Sequence, residues 1–200
     1  MLKSFVNKTV IYTCKYNKYS IHIGKIFTKK EFTNKFPHFM PYKVIRNDMR
    51  HYDYTYKLGL NVIKPFNIQE HCSAGGFYVT DKDNLELYLN YGENIATISL
   101  PDTALIYLEN NKIKVNELVI EKMVTITEYY TNLDKKCQTD AIKQNGLLIQ
   151  YIINPCKELQ LLAVRQNGCA IKYIINPCKD VKIAALKQNG YSIENVNRYH

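Results

Sequence analysis

The C-terminal third of the chain contains an internal repeat with a period of 22 residues. The tripeptide QNG occurs at 144–146, 166–168 and 188–190, and the heptapeptide YIINPCK occurs at 151–157 and 173–179. A fixed period of roughly 20–50 residues is typical of proteins whose units bury their apolar faces only against neighbouring units. This feature therefore constrains the fold more than any other in the sequence.

Each repeat predicts two helical segments. Asn154 is a good N-cap and Pro155 suits the first position of a helix. The apolar residues of 159–163 then recur at helical spacing, and Gly168 suits the left-handed position that ends a helix. The apolar segment 170–175 is long enough for a second, shorter helix, which the next Asn-Pro ends.

Stacking of such helix pairs predicts a short α-solenoid over residues 128–200. Positions on the apolar stripe exchange only for apolar residues of similar size between copies, as a core between repeats requires. The residues predicted to be buried there are Leu159, Ala163, Val181 and Ala185. Charged residues between these positions face water and form the predicted binding surface, which comprises Lys157, Arg165, Lys179 and Lys187.

The first 127 residues predict a β-rich module, so the fold class is α+β. Runs of β-branched and aromatic residues are separated by turn-forming residues. The predicted strands cover 9–16, 20–27, 42–45, 53–57, 77–79, 95–100, 104–108, 113–115 and 118–120. Residues 81–91 predict a helix, and residues 29–40 predict either a short helix or a covering loop.

The net charge of +9 belongs entirely to the N-terminal quarter. Residues 1–50 contain 11 Lys and Arg against 2 Asp and Glu, whereas residues 51–200 contain 16 of each. An excess of this kind is compatible with nucleic-acid binding, and the alternative is a solvated lysine-rich surface.

The six cysteines and the absence of an apolar leader predict a protein of a reducing compartment that is not secreted. No apolar run approaches the roughly 18 residues of a membrane span. His51, His71, Cys72 and Cys14 lack the spacing of zinc ligands, so we predict neither a metal nor a cofactor. Gly75-Gly76 lacks the Lys-Ser/Thr of a phosphate loop and predicts a tight turn or a close backbone approach instead.

Three tyrosines alternate along one predicted strand. Tyr52, Tyr54 and Tyr56 are expected on one face. They predict either a binding platform, because Tyr suits recognition surfaces, or ordinary packing of a sheet.

The repeats resemble the 22-residue helical repeats of proteins from giant DNA viruses of the mimivirus type. The shared pattern is N-P-C-K-x5-A-x2-Q-N-G-x2-I-x-Y-I-I, with Cys156 and Cys178 where that family usually has Ser. The segments YKLGLN at 56–61, SAGGFYVTD at 73–81 and LPDTA at 100–104 are similar to an N-terminal module that precedes ankyrin or other repeats in those viruses. The resemblance implies a location in the host cytoplasm or the virion interior and no established activity.

A second resemblance concerns the order of elements around Gly75-Gly76-Phe77-Tyr78, which looks like that of ADP-ribosyltransferases of the poly(ADP-ribose) polymerase type. That family's nicotinamide-ribose His and nicotinamide-stacking Tyr would correspond to His51 and Tyr78. The chain departs from the family because His51 precedes Tyr52 where the family has Gly. No late-strand Glu matches clearly, and the possible residues are Glu109, Glu117 and Glu121.

Together these features predict a non-enzymatic viral protein that binds another protein through its repeat surface. The alternatives are an ADP-ribosyltransferase-like enzyme or its degenerate relative, and a nucleic-acid binder that uses its basic N-terminal segment.

Overall fold

The computed structural model describes residues 20–68 and 74–190 of the 200-residue chain. The described strands are β1 (Ile26–Thr28), β2 (Tyr42–Ile45), β3 (Arg50–His51), β4 (Tyr54–Thr55), β5 (Gly59–Val62), β6 (Phe77–Val79), β7 (Asn94–Ser99), β8 (Leu105–Leu108), β9 (Ile113–Val115) and β10 (Glu117–Thr125). The described α-helices are α1 (Lys29–Lys35), α2 (Ile126–Thr131), α3 (Lys135–Gln144), α4 (Lys157–Gln166) and α5 (Lys179–Gln188). The 3₁₀ helices are Ser20–His22, Leu85–Tyr91, Gly146–Tyr151 and Gly168–Tyr173. The fold is thus mixed, with a β-rich N-terminal part followed by helices.

The chain divides into two compact units that interleave along the sequence. Among the described residues, the first unit contains 20–43, 52–68, 74–88 and 97–121, and the second contains 44–51, 89–96 and 122–190. The predicted boundary between residues 127 and 128 stays a prediction.

The first unit contains an antiparallel sheet of order β1-β8-β9-β6. Its register places Ile106 opposite Val115, and Val115 opposite Phe77. All three side chains are at most 1% exposed, so one face of this sheet forms the core of the unit. A second sheet has the order β2-β7-β10-β5, in which β10 pairs antiparallel with β5.

Helix α1 confirms the helical alternative for residues 29–40. Thr28 caps it, since Thr28 Oγ1 accepts the Glu31 N–H at 3.3 Å and Glu31 Oε2 accepts the Thr28 N–H at 2.8 Å. This reciprocal pair is a capping box. Phe32 is buried, with its ring centroid 4.9 Å from that of Phe36 and 5.0 Å from that of Phe39. The phenylalanines at near-helical spacing therefore form one aromatic cluster.

The predicted strand over residues 20–27 is wrong in its first part. Residues 20–22 form a 3₁₀ helix, and the strand begins only at Ile26. Gly24 has a φ of 83°, which an extended strand cannot contain. The other strand of the predicted hairpin, 9–16, lies outside the described residues.

In the second unit, equivalent positions of successive repeats are buried together. Leu159, Ala163, Val181 and Ala185 are at most 4% exposed, which confirms their predicted burial. The 3₁₀ helices repeat this pattern: Leu148, Ile149 and Ile152 and their counterparts Ala170, Ile171 and Ile174 are all buried. The second helical segment is thus a 3₁₀ helix that contributes apolar side chains to the core of the repeats.

Candidate functional site: the repeated helices

The long helices begin two residues later than the Asn-Pro pair predicts. Cys156 is the N-cap of α4 and Cys178 that of α5, so Pro155 precedes the helix instead of occupying its first position. Asn154 has a φ of 51° and Asn176 a φ of 50°. Asn tolerates this left-handed conformation better than most residues, and it ends the preceding segment here.

The QNG motif also acts differently from the predicted glycine cap. Asn167 has an extended backbone at the end of α4, and its Oδ1 accepts the Cys169 N–H at 3.0 Å. Asn145 makes the same contact with Leu147, also at 3.0 Å. The asparagine therefore caps the following 3₁₀ helix. The first copy requires glycine because a side chain would collide with the neighbouring backbone: a Cβ on Gly146 would lie 2.5 Å from the main-chain oxygen of Ala163.

The glutamine of the motif joins one repeat to the previous one. Gln166 Oε1 accepts the Gly146 N–H at 2.8 Å, and Gln166 Nε2 donates to the Gln144 main-chain oxygen at 3.2 Å. Gln188 Oε1 accepts the Gly168 N–H at 2.6 Å in the same way. These bonds supply partners to backbone groups that the ends of helices leave unpaired. We call this set of bonds the glutamine clamp.

A second contact between repeats is ionic. Lys157 Nζ lies 2.6 Å from Asp180 Oδ2, and its hydrogen bond and charge hold the pKa of Asp180 below its usual value. The equivalent acid one repeat earlier is Glu158. Its pKa is lowered by its own backbone N–H and by Cys156, with a smaller contribution from Lys135. Because the side chains of Lys157 and Asp180 are both exposed to water, which screens their charges, this ion pair contributes little to stability.

The four predicted binding residues are all exposed. They divide into two sets by position: Lys157 and Lys179 are the first residues of α4 and α5, and Arg165 and Lys187 lie one residue before the ends of these helices. Lys143 occupies the latter position in α3 and lies 3.5 Å from Asp140 of its own helix. The positive charge at these helix ends therefore recurs in all three long helices, which sequence analysis missed for Lys143.

The three predicted platform tyrosines do not share one face. Tyr52 has a φ of 52° and is 71% exposed, whereas Tyr56 is 5% exposed. The ring centroids of Tyr54 and Tyr56 lie 4.7 and 5.5 Å from that of Phe77. Burial and the neighbouring Tyr54 raise the pKa of Tyr56. Tyr54 and Tyr56 therefore pack against Phe77, whereas Tyr52 lies in the turn before β4. A binding role for the three tyrosines stays a prediction.

The glycine pair before β6 serves both predicted backbone purposes. Gly75 has a φ of 90°, as in a tight turn, and a Cβ on Gly76 would lie 2.6 Å from Lys114 Cγ. Lys114 is fully buried and donates from Nζ to the Ala74 main-chain oxygen at 3.3 Å. The close approach at Gly76 makes room for this buried lysine.

Tyr78 is surrounded by lysines in the first unit. Lys112 Nζ lies 4.0 Å from the centroid of the Tyr78 ring and Lys114 Nζ lies 5.4 Å from it. Lys43 is 6% exposed and donates from Nζ to the Tyr78 main-chain oxygen at 2.9 Å. Burial, with a smaller contribution from the charge of Lys112, lowers the pKa of Lys43 to about 7. Sequence analysis missed these lysines because lysine is rarely fully buried.

The remaining transferase positions are spread over both units. His51 belongs to β3 in the second unit, and Tyr78 to β6 in the first. Glu109 is buried, with its Oε2 3.5 Å from Lys112 Nζ, and Glu121 accepts a hydrogen bond from Ser99 Oγ. Glu117 lies at the start of β10. The non-enzymatic interpretation stays a prediction, and a catalytic role for His51 and Tyr78 belongs to the transferase alternative.

The predictions about a metal site and a membrane-spanning segment concern the whole chain, and the structure describes only part of it. In residues 20–68 and 74–190, no group of three or more His, Cys, Asp and Glu side chains could hold a metal ion. His71, Cys72 and Cys14 lie outside these ranges. None of the helices that the structure describes is long and apolar enough to cross a membrane.

Comparisons with known proteins identify repeat proteins of a giant virus. The chain is 42% identical over 62 residues to a protein of Acanthamoeba polyphaga mimivirus that is named as an ankyrin repeat protein. A second protein of that virus, also named for ankyrin repeats, is 43% identical over 53 residues. The matches cover 30% and 26% of this chain, and only 19% and 17% of the relatives. The chain thus spans less than a fifth of the length of these relatives. No family model matches the chain, and no solved structure matches it. None of these findings supports nucleic-acid binding.

Proposed function

We propose that this chain is a protein-binding module of a giant virus, and that its helical repeats form a short α-solenoid whose exposed charged residues bind a partner protein. In this proposal residues 1–127 form the supporting module and residues 128–200 form the binding part. The chain acts in the cytoplasm of the infected host or inside the virion.

The glutamine clamp is the observation that carries this proposal. Gln166 and Gln188 make the same bond to the glycine of the preceding repeat, so each repeat is held against its neighbour by identical contacts. Units that stack by a constant operation form an extended surface, on which such proteins bind their partners. Ankyrin repeats have a longer period of about 33 residues, but they share this use of stacked helix pairs, and the names of the two relatives support a binding role.

The ends of the long helices provide the main binding residues in this proposal. Lys157 is held by Asp180 of the next repeat, so its charge is partly neutralised within the protein. Arg165 and Lys187 make no ion pair with any described residue. Cations at these positions also offset the negative end of the helix dipole, which accounts for some of their recurrence. Their exposure favours a partner with an acidic surface, because complementary charge gives specificity and fast association.

Affinity capture tests the proposal. Tagged full-length protein is incubated with nuclease-treated lysate of infected host cells, and bound proteins are identified by mass spectrometry. We expect a partner that the wild type retains and that the double variant Arg165→Glu, Lys187→Glu loses. A control variant, Lys30→Glu with Lys57→Glu, makes the same change of charge at exposed lysines of the first unit.

Binding is then measured with the purified partner. The control should keep its affinity, whereas the repeat variant should bind more weakly. If the wild type retains no protein, or if both variants lose the partner equally, the repeat surface is not a specific binding site.

A further inference from the structure

The second unit contains a pocket of about 350 Å³ whose lining includes none of the charged residues at the ends of the long helices. Its polar lining comes from Asn47, Glu93, Thr125, Thr127 and Tyr151, and Leu89 contributes apolar surface. A pocket of this volume, with a few polar groups on a partly apolar wall, is of the kind that binds small ligands or single side chains.

Glu93 is held in position by contacts at both its main chain and its side chain. Its main-chain oxygen accepts the Ile126 N–H at 3.0 Å, and its Oε2 accepts the Asn47 N–H at 2.9 Å. The Asn47 side chain is itself fixed, because its Oδ1 accepts a 2.8 Å hydrogen bond from Asn94 Nδ2. The other carboxylate oxygen, Oε1, has no hydrogen-bond partner among the described residues. One oxygen thus orients the carboxylate while the other remains open to a ligand.

The charge of the pocket is negative. Glu93 is the one acidic or basic side chain among the described residues that line it. Helix α2 begins at this pocket, and the N–H groups of a first turn attract anions. Two of those groups are already bonded, however: Ile126 N–H to the Glu93 oxygen, and Glu128 N–H to Thr125 Oγ1 at 3.0 Å. The full charge of the carboxylate therefore dominates.

The rest of the lining favours a flat cation with several donors. Thr125 and Thr127 carry hydroxyl oxygens that can accept hydrogen bonds. Tyr151 stacks on Tyr130 with centroids 5.8 Å apart. Burial raises the pKa of Tyr151, with a smaller contribution from the nearby Tyr173. Tyr151 therefore contributes a neutral aromatic ring. A guanidinium group stacks on aromatic rings and donates several hydrogen bonds at once, whereas an ammonium group is a compact, strongly hydrated charge.

We propose that this pocket binds a guanidinium group, in which Glu93 Oε1 accepts its hydrogen bonds and Tyr151 contacts its planar face. The ligand is an arginine side chain or free arginine, which share this chemistry. The proposal is independent of binding through the helix ends, since it involves none of Lys157, Arg165, Lys179 and Lys187.

The test uses amide NMR spectra of the full chain, titrated with N-acetyl-arginine amide up to tens of millimolar. We expect saturable shifts of the Asn47, Gly92 and Thr127 amide signals. N-acetyl-citrulline amide has nearly the same shape without the charge and should cause no saturable shift. Free arginine separates the two sources: tighter binding of the blocked amide indicates an arginine within a protein chain, and tighter binding of free arginine indicates the amino acid.

Glu93→Gln keeps an oxygen for the Asn47 N–H and should weaken binding by about tenfold or more, because the hydrogen bond to a charged acceptor is lost. The matched control, Asp140→Asn, removes an exposed carboxylate of α3 and should leave the affinity unchanged. Absence of shifts with the arginine probe, or equal shifts with citrulline, would overturn the proposal even if Glu93→Gln does not fold.

Discussion

Gln166 binds the backbone on both sides of Asn145 in the preceding repeat: its side chain accepts the Gly146 N–H at 2.8 Å and donates to the Gln144 main-chain oxygen at 3.2 Å. One side chain thus provides partners for a donor and an acceptor that the end of α3 and the start of the following 3₁₀ helix leave without one. The Gln and Gly of one QNG copy therefore bind the Gln of the next copy, and the bond between Gln188 and Gly168 repeats the contact with the Gly.

Removal of the glutamine clamp should destabilise the repeats. Gln166→Ala leaves the buried Gly146 N–H without its acceptor, which should lower the free energy of unfolding by about 1–3 kcal/mol. Gln144→Ala is the matched control, since the Gln144 side chain is exposed and makes no hydrogen bond within the described part of the chain. Urea unfolding of both variants measures the difference. Equal losses would show that the clamp contributes nothing beyond local helix stability.

Glycine should be needed at the first QNG copy and not at the last. In Gly146→Ala the new methyl group would lie 2.5 Å from the Ala163 oxygen, so the two repeats must separate, at a cost of about 1–3 kcal/mol. A Cβ on Gly190 meets no atom of the described residues within 4 Å. Gly190→Ala should therefore be neutral or slightly stabilising. Thermal unfolding of both variants measures the difference in stability. A loss of stability in Gly190→Ala as large as that in Gly146→Ala would contradict this account.

The apolar core between repeats should not tolerate a charge. Ala185 is fully buried, so Ala185→Asp places an unpaired carboxylate in the core and should cost several kcal/mol. Ala184→Asp makes the same substitution at the adjacent, partly exposed position and should cost much less. The unfolding midpoints of the two variants are compared by circular dichroism, and an unchanged midpoint for Ala185→Asp would contradict the register of the repeats.

Lys43 should make the stability of the first unit depend on pH. Its pKa is about 7 in the folded protein, against 10.5 for an ordinary lysine. Between these values the unfolded chain binds a proton that the folded chain does not, so stability increases as the pH rises from about 7 to about 10. Below pH 7 Lys43 is charged in both the folded and the unfolded state, so the full cost of burying its charge lowers the stability there.

Lys43→Met should therefore flatten this dependence, by up to about 1.4 kcal/mol per pH unit, and should gain most stability at neutral pH. Lys57→Met changes an exposed lysine of the same unit and should leave the slope unchanged. Urea unfolding at several pH values between neutral and about pH 9 gives the slopes. Parallel curves for the wild type and Lys43→Met would show that Lys43 keeps an ordinary pKa.

NAD should not stabilise the protein. Lys112 already lies 4.0 Å from the centroid of the Tyr78 ring, where the transferase interpretation requires nicotinamide to stack. A ligand that binds only the folded state raises the melting temperature, so millimolar NAD should leave it unchanged. A rise that is lost in a folded His51→Ala variant would instead support the ADP-ribosyltransferase-like alternative.

The sequence alone determined the period of the repeats, their two helical segments and the burial of Leu159, Ala163, Val181 and Ala185. It also predicted most strands of the β-rich part and the backbone tasks of Gly75-Gly76. These features depend on local rules, namely apolar periodicity and the conformations that Gly, Asn and Pro allow, which neighbouring residues reveal.

Only the tertiary structure decided what Gln166, Lys43, Tyr52 and Glu93 do. Gln166 reaches a backbone group 20 residues away, Lys43 becomes buried against Tyr78, and Glu93 is fixed by Asn47. The positive φ of Tyr52 separates this residue from Tyr54 and Tyr56, with which it was expected to alternate along one strand. Nothing in the local pattern distinguishes these residues from others of their type. Their surroundings come from segments distant in the chain, and it is those surroundings that determine the pKa, the exposure and the hydrogen-bond partners of a side chain.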